Sequence, residues 1–310
     1  MTTQTFVTAL ADTGLIRFAG EDAQAFLHGQ LSCDVAALQI GCATYGSYNT
    51  PKGRMLATFL LWRDDNGYLM QLPGSLREPI QKRLAMYILR SKVKATDVSG
   101  EYALFGLAGT AAQTALTRLL LQNIPSVPLT MTTGKDISVL RLAADRFEII
   151  AAAARAHELT VTLAKTAAFI EASVWNGFDI RAGIPHILPA TQEQLVPQMA
   201  NLDLIGGVSF SKGCYPGQEI VARMHYLGRL KQRMYLANIV TEDAPLPGDK
   251  LYGAEFGDQA CGTIVNAAPA PGGGYDVLAS IQIESANRGN VHFTSAAGPV
   301  LQFLDLPYKY

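Results

Sequence analysis

The sequence predicts an α+β architecture followed by an all-β module, on three observations. Through the first two-thirds of the chain, segments of alternating hydrophobicity and segments of helical spacing succeed one another, but not one for one. That pattern favours sheets with helices on one face over a regular parallel βαβ array. From about Met234 onward the helical periodicity stops, and short strands follow between Pro-Gly and Gly-Gly-Gly turns, as in a small barrel or sandwich. A chain of 310 residues that is 49% hydrophobic and 16% charged can bury substantial cores, in roughly two domains.

The elements follow in order. "GLIRFAG" (14–20) reads as a strand, and "EDAQAFLHGQL" (21–31) as a helix with its acids in the first turn, where the helix dipole favours them. "ATYGSYN" (43–49) and "RMLATFLLWR" (54–63) are strands around a Pro51-Lys52-Gly53 turn. Asn66-Gly67 is a hairpin signal, because both turn residues must accept positive φ. Ser75 and Glu78 form a capping-box pattern ahead of an apolar stripe of Leu76, Ile80, Leu84 and Ile88. Strands are expected at 92–98, 101–107, 136–142 and 146–151, and helices at 110–122, 152–165 and 167–176. The Pro-interrupted stretch 123–136 could join two lobes, giving expected domains at 1–125, 126–233 and 234–310.

Composition narrows the function classes. A net charge of −1 and a pI of about 6.5 provide no global field toward nucleic acid or anionic membrane. Direct nucleic-acid binding is therefore not expected, and any such role would have to rest on a local patch. Cys33, Cys42, Cys214 and Cys261 are widely spaced, without a C-x-x-C pair, so no metal site is expected. No signal-peptide pattern and no apolar run of spanning length is seen, which makes the cytoplasm the expected compartment.

One stretch stands apart: "SFSKGCYPGQEIVARMHYLGRLKQR" (209–233), with five basic residues against one acid between Lys212 and Arg233. Tyr215-Pro216-Gly217-Gln218 suits a type II turn, since Pro fixes φ at its second position and Gly accepts positive φ at its third. "QEIVARM" can then begin a helix with Glu219 in its first turn. Cys214 would precede that helix beside Lys212, and charge and dipole would both favour its thiolate. The same cysteine could instead be a small core residue. A lone cysteine cannot close a zinc or cluster site, and no oriented base for a Cys-His hydrolase is visible.

"KGCYPGQE" (212–219) resembles the K-G-C-Y-x-G-Q-E signature of the YgfZ family, folate-binding relatives of the glycine-cleavage T-protein. The resemblance extends through "RAGIP" (181–185), "PQMANLDLIGGVSF" (197–210) and "VARMHYLGRLKQR" (221–233), and more weakly to "GEDAQAFLHGQLSCDV" (20–35) and "NTPKGRM" (49–55). It implies two interleaved α+β lobes around a central folate cavity, closed by a C-terminal β-barrel. It also implies tetrahydrofolate or a derivative as cofactor, and partnership with iron–sulfur proteins or their assembly machinery, including radical enzymes that modify tRNA. Cys214 is then a functional thiol with Lys212 beside it. Where T-proteins carry an aspartate that assists one-carbon transfer, this chain has Leu56 and Ala57, and residues 49–60 contain no acid. An apolar side chain cannot deprotonate a substrate amine, which argues against aminomethyl transfer. A T-protein-like one-carbon transferase and a non-catalytic interaction module with a vestigial pocket are the alternatives.

A pterin ring needs a flat apolar surface and a carboxylate for its N–H edge, and the glutamate tail needs cations. The resemblance implies Trp175, Glu148 and Arg181 at the pterin, and Tyr215, Gln218, Glu219 and Arg223 as further folate-binding residues beside the thiol. Arg181 could orient the pterin or pair with Glu148, while Glu148 could equally face solvent and Trp175 belong to the core. Lys52, Arg54, Arg223 and Arg229 are candidates for the tail. A second family tryptophan falls on Thr13, so half of that aromatic pair is absent.

Overall fold

A computed structural model describes residues 5–119, 123–134, 136–228 and 230–309. In chain order its first elements are β1 (Phe6–Ala9), β2 (Thr13–Ala19), α1 (Ala23–His28), β3 (Ala43–Asn49), β4 (Met55–Asp64), β5 (Gly67–Pro73), α2 (Gly74–Ala85), β6 (Lys94–Asp97) and β7 (Tyr102–Ala108). Then come α3 (Ala112–Leu119), β8 (Met131–Thr133), β9 (Ile137–Ala143), β10 (Arg146–Ala152), α4 (Ala156–Leu163), β11 (Ala168–Phe169) and α5 (Ala172–Arg181). The last third holds α6 (Gln218–Tyr226), β12 (Gln232–Ile239), β13 (Lys250–Gly253), β14 (Ala260–Pro269), β15 (Tyr275–Gln282), α7 (Ile283–Arg288), β16 (Val291–Phe293) and β17 (Leu301–Leu304).

The chain divides into two compact units. One comprises the N-terminal stretch up to Gln24, Ala36–Thr44 and Leu60–Trp175; the other comprises Ala25–Val35, Tyr45–Phe59 and the chain from Asn176 onward. Neither 125 nor 233 marks a boundary between them. The stretch 123–136 is no linker: its β8 pairs with β9 inside the first unit. A five-stranded sheet runs β3-β4-β5-β2-β6, and β3 and β4 carry the chain across the division.

The first unit also contains a six-stranded sheet, β11-β1-β7-β10-β9-β8. Its central strand β10 is buried at every position but the last, so a two-residue alternation cannot be read there. Phe105, Leu107, Val139, Phe147 and Ile149 of the sheet belong to a core that also takes in Leu116 of α3 and Leu159 and Leu163 of α4. In α2 the stripe Leu76, Ile80 and Leu84 is buried as expected, but Ile88 lies past the helix end. The capping box is absent. The helix begins at Gly74, whose N–H donates to the Asp12 carbonyl, so Ser75 is already inside it and Glu78 pairs with Lys82. The helix expected at 110–122 runs over Ala112–Leu119, and its expected end lies outside the described residues.

In the second unit a six-stranded antiparallel sheet is ordered β16-β13-β14-β15-β12-β17. An isolated bridge, His292↔Val300, joins the two edges, so the sheet curls into a half-barrel around Ile264, Val277, Ile281, Val291 and Leu301. Among the described residues the expected all-β run is interrupted by a 3-10 turn at Ala254–Phe256 and by the short helix α7. Among the described residues no helix is long and apolar enough to cross a membrane.

Candidate functional site

Two clusters collect the residues singled out in the sequence, one in each unit. In the second unit the motif folds as its turn chemistry dictates. Gly217 has φ 80° and ψ 3°, and the Gln218 N–H donates to the Tyr215 carbonyl at 3.1 Å, as in a type II turn. Helix α6 starts at once, with Glu219 in its first turn. Glycine is required at 217 for space as well: a Cβ there would fall 2.5 Å from the Gly53 Cα, because the Pro51-Lys52-Gly53 turn lies directly against the motif.

Lys212 does not serve Cys214 as expected. Its side chain is only 8% exposed, and its ammonium donates to the carbonyls of His28 and of Leu31 (2.6 Å for the latter). The Nζ atom lies 4.9 Å from the centre of the buried Tyr215 ring. Burial lowers the lysine to about 8, with Cys33 and Asp34 partly opposing the shift. The thiol coupled to this cation is therefore Cys33. Burial still dominates there, and pushes the Cys33 thiol up to about 12. Cys214 is exposed, whereas Cys33 and Cys261 are buried and Cys42 is half-buried. Beside the motif, His28 Nδ1 lies 3.4 Å from Asp34 Oδ1, and Gly213 leaves the His28 ring uncovered by any side chain of its own. Gln218 Nε2 donates to the Lys212 carbonyl at 3.4 Å, while Glu219 and Arg223 are exposed.

The cluster in the first unit centres on β10. Glu148 is 2% exposed, so the solvent-facing reading is excluded, and its Oε2 accepts a hydrogen bond from Gln71 Nε2 at 3.1 Å. Directly across the β7–β10 ladder is Gly106. The Trp175 ring covers that glycine and lies beneath the Arg146 guanidinium, 4.9 Å from ring centre to Cζ. A carboxylate, a carboxamide, an indole and a guanidinium thus converge on one stretch of sheet. Charge-assisted hydrogen bonds in such low-dielectric surroundings are strong.

Arg181 is paired differently from either expectation: Nε and Nη2 both donate to Asp276 Oδ2, at 2.7 and 2.6 Å. Of the tail candidates, Arg54 donates to the Gln194 carbonyl, Lys52 and Arg223 are exposed, and Arg229 lies outside the described residues. Leu56 and Ala57 are buried in β4. Among the described residues no group of three or more His, Cys, Asp or Glu side chains could hold a metal ion. Gln71, Gly106, Arg146, His28 and Asp34 were not singled out in the sequence. Gln71, Gly106 and Arg146 belong to no local motif and meet only through long-range pairing, whereas His28 and Asp34 lie six residues apart within the stretch 20–35.

This arrangement sits on the fold of an aminomethyltransferase T. The chain resembles the glycine-cleavage enzyme of that name from Bartonella henselae with a TM-score of 0.81, over 98% of its own length and 86% of that chain, at 15% identity. Sequence comparison is more specific. The chain is 31% identical to the tRNA-modifying protein YgfZ of Sodalis glossinidius over 304 residues, covering 97% of this chain and 92% of that one. It is 34% identical to the Photobacterium profundum protein of the same name (78% and 72% covered), and 30% identical to that of Colwellia psychrerythraea (98% and 94%). The chain belongs to the YgfZ family. No protein-family model matches it.

Proposed function

We propose that the chain is a folate-binding auxiliary protein that keeps iron–sulfur enzymes active, among them enzymes that modify tRNA. The observation that carries the folate reading is the buried Glu148 carboxylate, held by Gln71 beside the Trp175 indole. A carboxylate and a carboxamide on an aromatic wall match the N–H edge and flat face of a pterin. Tetrahydrofolate bound there would supply a one-carbon carrier and a reductant. Arg146 would balance the charge of the site, while Glu148 would orient the ring.

The relatives' description as tRNA-modifying proteins supports the tRNA side of this reading. The iron–sulfur side rests on the family signature and on the exposed thiol of Cys214 within it. Aminomethyl transfer is not part of the proposal. Leu56 and Ala57 offer no proton acceptor on β4, so incubation with an aminomethyl donor and tetrahydrofolate should release no ammonia above background. The function is tested by complementation of a deletion strain, read as the activity of a tRNA-modifying iron–sulfur enzyme. Wild type should restore it, and Cys214→Ala and Glu148→Gln should not. Full rescue by both variants would contradict the proposal.

A further inference from the structure

We propose that Arg146 holds the place over Trp175 that a pterin ring needs, so that a ligand enters by displacing its guanidinium. This rests on the folate reading of the Glu148 cluster and adds the residue that selects what can enter. A Cβ built on Gly106 would lie 2.7 Å from each of Cδ2, Cε2 and Cε3 of Trp175. A point equally far from three consecutive ring carbons stands over the six-membered ring. The glycine backbone therefore lies against the flat of the indole, not its edge. With the sheet against one face, the Arg146 guanidinium lies over the other, 4.9 Å from ring centre to Cζ. Cation–π attraction favours that placement for a planar guanidinium. Trp175 is 4% exposed and Arg146 8%, so neither face of the indole is open to a second ring. The sheet backbone cannot yield, but a side chain can.

The exchange is selective because of what stands beside the ring. Arg146 and Glu148 are two residues apart on β10, opposite Ala108 and Gly106 of β7, and so project from one face of the sheet. A displaced guanidinium stays next to the Glu148 carboxylate, and its charge is kept in the site. What is lost is the cation–π contact, which makes entry about tenfold less favourable. A flat apolar ring offers nothing in return. A ring with an N–H edge offsets the loss by donating to Glu148 and to Gln71. The Oε1 atom of Gln71 is buried without a hydrogen-bond partner among the described residues, and a buried acceptor of this kind calls for a donor. Arg146 is thus a specificity-determining residue, and it favours planar, donor-bearing heterocycles over plain aromatic rings.

The test is isothermal titration of the full chain with a tetrahydropterin that lacks the glutamate tail. Arg146→Ala opens the indole face and should bind this probe about tenfold more tightly than wild type. Arg146→Lys keeps the charge but has no plane to lay on the ring, and should show part of that gain. Circular dichroism reports whether each variant is folded, and the lysine variant decides if the alanine variant is not. A merely structural role for Arg146 would loosen the Trp175 wall and weaken binding instead. Saturable binding by wild type with equal or weaker binding by the deciding variant would overturn the proposal and leave the folate reading standing. No saturable binding by any of the three proteins would defeat that reading, and this proposal with it.

Discussion

The Trp175 ring fills the space that a side chain on Gly106 would need: a Cβ there would lie 2.7 Å from three ring carbons. Gly106 in turn sits opposite Glu148 in the ladder. The glycine therefore sets how closely the indole approaches the carboxylate, and the site depends on a residue that carries no chemistry itself.

Gly106→Ala should push Trp175 off the sheet. Overpacking of this kind costs about 1–3 kcal/mol. Urea unfolding should report that loss, and tryptophan emission should shift because the 4%-exposed Trp175 gains water. An alanine variant with native stability and native emission would show that the ring is not held where it is described.

The cysteines should separate by accessibility. Iodoacetamide at neutral pH should label Cys214 first, and Cys33 only on unfolding, because burial hides that thiol and raises it to about 12. Cys214→Ala should change stability by no more than about 0.5 kcal/mol, as exposed substitutions do. Peptide mass mapping at short times decides the order. Labelling of Cys33 before Cys214 would contradict it.

Lys212 should give the fold a distinctive pH dependence. In the folded chain it titrates near 8, against about 10.4 in an unfolded one. Between those values the unfolded chain holds a proton that the folded chain has released. This group's contribution to stability therefore rises with pH across the window and is flat below it. Lys212→Met removes the rise, and by leaving the His28 and Leu31 carbonyls without their donor it costs about 1–3 kcal/mol. The wild-type-minus-variant difference in unfolding free energy should grow from pH 7 to pH 10. A constant difference would mean that the lysine is solvated.

The sequence exposed whatever short-range stereochemistry controls. Pro216 and Gly217 dictate a type II turn wherever they fall, and the helix after it follows from the same residues. The Asn66-Gly67 hairpin and the strand breaks after Met234 are equally local. Ser75 and Glu78 mimicked a local signal, but a backbone bond from Gly74 to the distant Asp12 decided where the helix begins. Lys212 misled for the same reason. Next to Cys214 in sequence, it spends its charge on carbonyls 184 and 181 residues away. Glu148 was ambiguous because β10 is buried on both faces, and its partner Gln71 lies 77 residues upstream. No spacing rule connects such pairs.

Folate binding at Glu148 is the central claim, and isothermal titration with tetrahydrofolate tests it most directly. Wild type should give a saturable isotherm with quenching of Trp175 emission. Glu148→Gln keeps the shape but removes the charge, and loss of a charge-assisted bond of about 1.5–3 kcal/mol should weaken binding about ten- to a hundredfold. Equal affinity in both proteins, or no saturable heat from wild type, would contradict the account.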